Sequence, residues 1–289
     1  MNSIKRFAIL IFSGAVFTNF SMTAQSKDVF TLEVGNMNVS TLSESQGEGN
    51  TKILVGATPG QLSEHLPDGK FPNAVNAFLI RKNGQNILVD AGFGRKLFDN
   101  LQSLEVTPEQ VNFILLTHMH GDHIGGLLRD GKKSFPHADL LLSRKEYDYW
   151  YSDKNESQKK VLDAYKENLI LFDGKEFEET GEDIIPGIKG IAAYGHTPGH
   201  TAFLLSNGNK KLLIWGDLTH AMKIQMPCPE VAVTYDADPA TAVKSRKKIL
   251  EYVSKHKIPV AGMHIAWPAT GNVISNNSGG YVFETSNEK

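Results

Sequence analysis

The sequence is poor in cysteine: Cys228 is the only one among 289 residues. No intramolecular disulfide can form, even in an oxidising compartment. Cys228 stands between Pro227 and Pro229 with no base beside it in sequence, which marks an incidental or structural thiol. A basic excess is missing too. Lys and Arg number 30 against 32 Asp and Glu, a formal charge of −2, so nucleic acid is not an expected partner. No run of apolar residues is long enough to span a bilayer comfortably. The one that comes nearest, Phe7 to Phe17, follows Lys5 and Arg6 and precedes the small residues of Ser21-Met22-Thr23-Ala24. That pattern predicts a signal peptide over 1–24, cleaved after Ala24, and export to the periplasm or the exterior. The rival, an uncleaved anchor, needs a longer apolar run, so no stable membrane anchor is expected after cleavage. The remainder, 25–289, is expected to be a single domain. At 40% hydrophobic and 21% charged residues the chain has an ordinary globular composition and the length to bury a full core.

What is abundant is local. Thr117 to Gly126 reads THMHGDHIGG, with His118, His120, Asp122 and His123 inside six positions. The apolar run Val111 to Leu116 just upstream has the length of a buried strand. His118 and His120 are two apart, so an extended chain points both imidazoles the same way. Gly121 then lets the chain turn and aim Asp122 and His123 at a neighbouring point. Imidazole and carboxylate are the ligands that zinc, iron and manganese accept. A polar loop of solvated histidines is the bland reading, and four ligand-type residues packed behind an apolar strand argue against it.

The rest of the chain alternates strand and helix signals. Phe30 to Ser43 predicts a hairpin around Gly35-Asn36, and Lys52 to Gly56 a further strand. Pro59 to Leu66 and Arg95 to Leu104 predict helices. Ala74 to Arg81 and Asn86 to Val89 flank Asn83-Gly84, a strong two-residue hairpin signal. Thr107-Pro-Glu-Gln110 and Ser143-Arg-Lys-Glu146 are capping boxes, the second opening a helix through Trp150. A strand over 138–142, a helix over 158–168 and a strand over 187–194 follow. Thr201 to Leu205 and Lys211 to Trp215 flank Asn207-Gly208, another hairpin. Asp238-Pro239 caps an amphipathic helix reaching about His256, and Ile258 to Met263 is expected as the last core strand. His118, His196, Asp217 and His264 each fall at or just beyond the end of an apolar strand. Asp90 also follows one, either as a turn residue or as a carboxylate that holds a ligand histidine in one tautomer.

The series His118-x-His120-x-Asp122-His123, His196, Asp217 and His264 resembles the ligand series of the metallo-β-lactamase-fold superfamily. The likeness runs from about Phe30 to the C-terminus. It is nearest to the methyl parathion hydrolase-like and quorum-quenching lactonase-like branch, through VNAFLI (75–80), THMHGDHIGG (117–126), IPGIK (185–189), GHTPGHT (195–201) and GDL (216–218). The resemblance implies an α+β fold, a four-layer αββα sandwich, with two divalent metal ions, zinc first, at one edge. By the same resemblance His118, His120 and His196 hold one ion, and Asp122, His123 and His264 the other. Asp217 bridges them, Asp90 stands behind the ligands, and His200 is structural. The implied enzyme is a hydrolase of small ester-type substrates (ester, lactone or phosphotriester), with Asp122 and Asp217 as its catalytic carboxylates; a homodimer stays open.

The branches separate on single residues. Asp217 argues against a true β-lactamase, and His120 stands where flavin–di-iron members carry Glu. Nucleases of this fold add an insertion that this length and charge leave no room for. Glyoxalase-II-like thioesterases and lactonases keep the full ligand set. Lactonases typically place a tyrosine where this chain has His220, which is therefore a candidate pocket residue. Trp150 is another, since it matches a pocket aromatic of methyl parathion hydrolases, and core packing within the cluster of Tyr147, Tyr149 and Tyr151 is its equal alternative. His65, His137 and His256 are expected to be solvated. A mononuclear-iron persulfide dioxygenase, or a protein that binds metal or ligand without catalysis, completes the alternatives.

Overall fold

The computed structural model describes residues 27–175, 182–276 and 278–286. The expected leader over 1–24 lies outside the described residues. Two sheets carry most of the chain. The first has the order Val29–Val34, Met37–Asn50, Lys70–Lys82, Gln85–Val89, Val111–Leu115, Asp139–Ser143, Leu169–Phe172. It is antiparallel up to Gln85–Val89 and parallel from there on. The second has the order Ile188–Ala192, Thr201–Asn207, Lys210–Ile214, Val260–Ala261, Thr270–Ser275, Tyr281–Thr285. Among its described strands the central pair alone, Lys210–Ile214 with Val260–Ala261, is parallel, and Lys175 adds a single parallel bridge to Ile191.

Period-2 alternation explains why both faces of the first sheet are dry. Phe78, Ile80, Ile87, Val89 and Leu115 join one core cluster with Phe203, Leu205, Leu212 and Ile214 of the second sheet. Their neighbours Ala77, Leu79, Leu88, Ile114 and Leu116 join another with Leu97, Leu101, Val161, Leu162 and Tyr165. The latter five come from the helices Leu97–Ser103 and Glu156–Tyr165. On the far side, Ile249, Leu250 and Val253 of helix Pro239–His256 pack with the second sheet. Each such side chain contributes roughly 1.5–3 kcal/mol by leaving water. The layers are helix, sheet, sheet, helix, the expected αββα sandwich.

Gly35-Asn36 and Asn83-Gly84 are the loops of their hairpins, the third hairpin turns at Gly208-Asn209, one residue beyond the expected Asn207-Gly208, and Asp238 caps the long helix by accepting from the Thr241 N–H. Elsewhere tertiary contacts redraw the expected elements. The strand expected over 52–56 is a turn of 3-10 helix, Thr51–Ile53, capped by Asn50, and only Leu54–Val55 stays extended. The preceding strand instead runs on to Asn50 through a bulge between Ser43 and Ser45. Ile258 to Met263 shrinks to Val260–Ala261, because the chain must leave the ladder to present His264. Nor is it the last strand, for Thr270–Ser275 and Tyr281–Thr285 extend the sheet. Leu169–Phe172, too short a run to tell from helix by pattern, pairs in parallel with Asp139–Ser143.

Candidate metal centre

One edge of the sandwich collects the ends of five strands. Gln85–Val89 and Val111–Leu115 are parallel neighbours in one sheet, and Lys210–Ile214 and Val260–Ala261 in the other, so each pair delivers its following loops to the same edge. The Thr201 N–H donates to the Thr117 carbonyl at 2.9 Å and ties the sheets together there. His118 and His120 lie on the loop after Val111–Leu115, and Asp122 and His123 on the short helix Gly121–Ile124 that follows. His196 comes after Ile188–Ala192, Asp217 and His220 after Lys210–Ile214, and His264 after Val260–Ala261.

These residues form two adjoining donor groups. His118, His120, His196 and Asp217 bring one ligand atom each within 4.8 Å of one another, as do Asp122, His123 and His264. His118 Nε2 and His196 Nε2 both lie 3.0 Å from His120 Nδ1. Asp217 reaches both groups. Its Oδ2 lies 3.3 Å from His196 Nε2 and 3.0 Å from His264 Nε2, and its Oδ1 lies 3.1 Å from His123 Nε2. His220 Nε2 closes on the same Oδ2 at 3.1 Å, and its ring stacks on that of His264 at 4.6 Å. Asp217, His220 and His264 thereby form a third group of donors.

Buried carboxylates and carbonyls fix the imidazoles from behind. Asp90 Oδ2 lies 2.6 Å from His123 Nδ1, and Asp90 also accepts from the Thr117 N–H and hydroxyl. It reaches them from a left-handed backbone, φ +55°, which Asp tolerates at a strand end. His196 Nδ1 meets Asp236 Oδ1 at 2.9 Å, and His264 Nδ1 meets the Ala74 carbonyl at 2.7 Å. His200 is structural, as expected: its Nε2 accepts from the Asp217 N–H at 2.9 Å, and its Nδ1 lies 2.8 Å from the Ala193 carbonyl. Gly216 makes this approach possible, because a Cβ there would stand 2.4 Å from His200 Nε2.

The electrostatics are those of closely coupled buried imidazoles and carboxylates. Burial pushes the Asp217 carboxyl up, yet His123, His264, His118 and His220 together hold it well below the usual carboxylate range. Burial likewise pulls His123 down, but Asp217, Asp90 and Asp122 lift it well above the usual imidazole range. His196 is raised to about 9, Asp217 and Asp236 overcoming its burial. Burial, with neighbouring imidazoles, takes His118 well below its ordinary value and His120 down to about 4. His220 falls to about 4, since burial outweighs Asp217. His123 Nε2 and Asp217 Oδ1 are both buried without a hydrogen-bond partner although they face each other. Once His123 gives up its Nε2 proton and keeps the Nδ1 proton directed at Asp90, its Nε2 lone pair and Asp217 Oδ1 point into one space. Divalent cations fit such a donor set.

A cleft of about 620 Å³ opens over Asp122, Asp217, His220 and His264. Ile53, Val75, Phe93 and Tyr235 supply its apolar lining, and Ser45, Asn50 and Asn73 its neutral polar groups. His220 lies where the sequence placed it, on the cleft. Trp150 does not. Its indole stands edge-on behind His120 at 5.7 Å and donates to Glu146 Oε1, so it packs beneath the ligands instead of lining the cleft. Sequence reasoning missed Tyr235 and Phe93, which carry no motif, and Asp236, which follows no strand signal. It also misread Glu146. The Ser143 hydroxyl does accept from the Glu146 N–H, but the Glu146 side chain turns away to bind the metal loops instead of completing the capping box.

Comparison with known proteins agrees with this geometry. Residues 71–256 match the model of the metallo-beta-lactamase superfamily. The chain is 30% identical over 146 residues, half of its length, to the uncharacterized protein YobT of Bacillus subtilis. It is 27% identical over 179 residues, 57% of its length, to the N-acyl homoserine lactonase AttM of Agrobacterium fabrum. These matches span 61% and 62% of those relatives' own lengths. Among solved structures, hydrolase AbOPH superposes with a TM-score of 0.82 at 27% identity, covering 92% of this chain and 99% of that one. The dizinc quorum-quenching lactonase AidC shares the fold with a TM-score of 0.82 at 23% identity, covering 90% and 98%. The chain belongs to the metallo-beta-lactamase superfamily.

Proposed function

We propose that the chain is a dinuclear-metal hydrolase of ester-type bonds, acting on a lactone, carboxylic ester or phosphotriester of a small molecule. The observation that carries this is Asp217, whose two oxygens reach two separate histidine-rich donor groups. His118, His120 and His196 would hold the first ion, Asp122, His123 and His264 the second, and Asp217 both. Two divalent ions, zinc first, would supply there a water acidified to a pKa of about 7 and polarisation of the oxygen of the bond to be broken. The chain's own residues do the rest. Asp217 fixes the spacing of the donors, and Asp90, Asp236 and the Ala74 carbonyl keep the imidazole protons on the outer nitrogens. Asp122, the most exposed of these carboxylates at 23%, opens on the cleft and passes a proton from the attacking water to the leaving oxygen. His220 stands over Asp217 and orients the scissile group, while Phe93, Tyr235, Ile53 and Val75 shelter an apolar arm.

The lactonase relatives make a lactone the first substrate to test. A one-iron dioxygenase would leave Asp122, His123 and His264 as a donor group without a task. The test is a rate panel on zinc-loaded protein with an acyl-homoserine lactone, methyl parathion, an aryl ester and a glutathione thioester. Hydrolysis of an oxygen ester, lactone or triester that Asp217→Asn abolishes supports the proposal. Activity confined to the thioester, or indifferent to the substitution, overturns it. We also propose that residues 25–289 act as one exported domain. Among the described residues no helix is long and apolar enough to cross a membrane, and a mature N-terminus at Gln25 in the exported fraction is the outcome to look for.

A further inference from the structure

Glu146 is a fully buried carboxylate that touches no candidate ligand side chain, yet four donors converge on it. The Met119 N–H and the Trp150 indole N–H donate to Oε1 at 3.0 and 2.5 Å. The Thr197 hydroxyl and the Gly199 N–H donate to Oε2 at 2.7 and 3.0 Å. Met119 lies between His118 and His120, and Thr197 directly follows His196. One carboxylate therefore spans the two loops that carry the three imidazoles of the first donor group. Gly199 gives an independent sign of this docking, because a Cβ there would stand 2.2 Å from the Glu146 backbone nitrogen. The second group has its own supports, Asp90 behind His123 and the Ala74 carbonyl behind His264. The Asn76 amide donates to the Met263 and Ile265 carbonyls on either side of His264.

We propose that Glu146 is a positioning residue for the first metal site alone, setting the distance between the His118–His120 limb and the His196 limb. Three of its four partners are N–H groups that cannot reverse, so only an acceptor-only side chain serves all of them. In Glu146→Gln the amide NH2 faces at least one N–H whichever way it is turned. The two loops separate, and the three-imidazole site loosens while the second site keeps its shape. The proposal rests on the two-metal assignment of the preceding section.

The experiment is cobalt binding under chelator competition on the full-length chain, with thermal melting of the metal-free proteins and anomalous diffraction to locate the ions. Wild type is expected to bind two equivalents; fewer in wild type would overturn the two-metal assignment itself and not the role of Glu146. Glu146→Gln is expected to weaken one equivalent by about 10- to 100-fold. The lost density is expected among His118, His120 and His196. Asp90→Asn, its counterpart, is expected to weaken the other site. Two equivalents of undiminished affinity in Glu146→Gln, or parallel loss of both, overturns the proposal. If Glu146→Gln does not fold, Thr197→Val removes one donor and leaves the carboxylate three. The same selective weakening to a smaller degree is then expected, and its absence overturns the proposal.

Discussion

Replacing Asp90 by Asn exchanges a carboxylate oxygen for an NH2 group and removes a negative charge, with almost no change in volume. In the native arrangement Asp90 Oδ1 accepts from the Thr117 N–H at 2.8 Å and Oδ2 lies 2.6 Å from His123 Nδ1. The Thr117 N–H cannot reverse, so Asn must keep its oxygen there and turn its NH2 toward His123. His123 then has to accept at Nδ1, which moves its proton to Nε2, the nitrogen that faces Asp217 Oδ1 at 3.1 Å. That tautomer can donate to Asp217 but cannot bind a cation. Losing such a support typically weakens metal binding about 10- to 100-fold, or roughly 1.4–2.7 kcal/mol of metal-linked stability at fixed metal concentration. For a domain of this size that is a melting shift of roughly 3–10 °C. Scanning calorimetry with and without zinc reads it directly. The metal-free variant also loses the buried contact between Asp90 and His123, so it should melt below metal-free wild type, and its own zinc-induced gain should be smaller than that of wild type by that margin. A full zinc-induced gain in the variant would refute the tautomer mechanism.

His220→Phe keeps the ring stack on His264 but removes the contact with Asp217 Oδ2. It should cost about 1.5–3 kcal/mol in kcat/KM, roughly 10- to 100-fold, with both ions retained; an unchanged rate would remove His220 from the site's chemistry. The metal-free chain should be most stable near neutrality. His196, raised from 6.5 to about 9, contributes stability that is present below 6.5 and lost as pH rises through about 9. His120 and His220, lowered to about 4, contribute stability that is present above 6.5 and lost as pH falls through about 4. Urea titrations of the metal-free protein at pH 5, 7 and 9 check this, and equal stability at all three would contradict it.

The part of the site legible in the sequence was the part made of local pattern. His118, His120, Asp122 and His123 announce themselves by crowding, and His196, Asp217 and His264 by ending apolar strands. The turn at Asn83-Gly84 pinned a register that the ladder keeps, whereas the hairpin expected at Asn207-Gly208 forms one residue later, around Gly208-Asn209. What escaped depends on contacts between distant segments. Asp236 meets His196 across 40 residues and Glu146 meets Gly199 across 53, and neither pairing leaves a trace in spacing. Glu146 even carried a competing local explanation, as a capping residue. Trp150 stays open between core and pocket in the sequence for the same reason: the pattern predicts its helix, but the side of the ligands on which its indole packs is set by Glu146. The strand after Asn168 and the hairpin from Thr270 were missed because runs of four to six residues with weak or no alternation do not by themselves identify a strand.

The central claim is that Asp217 is shared between two metal ions. Zinc stoichiometry of wild type and Asp217→Asn, determined by elemental analysis after exhaustive dialysis, tests it most directly. Two equivalents per wild-type chain and fewer than two in the variant, with hydrolysis lost, is the predicted result. A single equivalent in wild type, or two tightly held equivalents in an active Asp217→Asn protein, would contradict it.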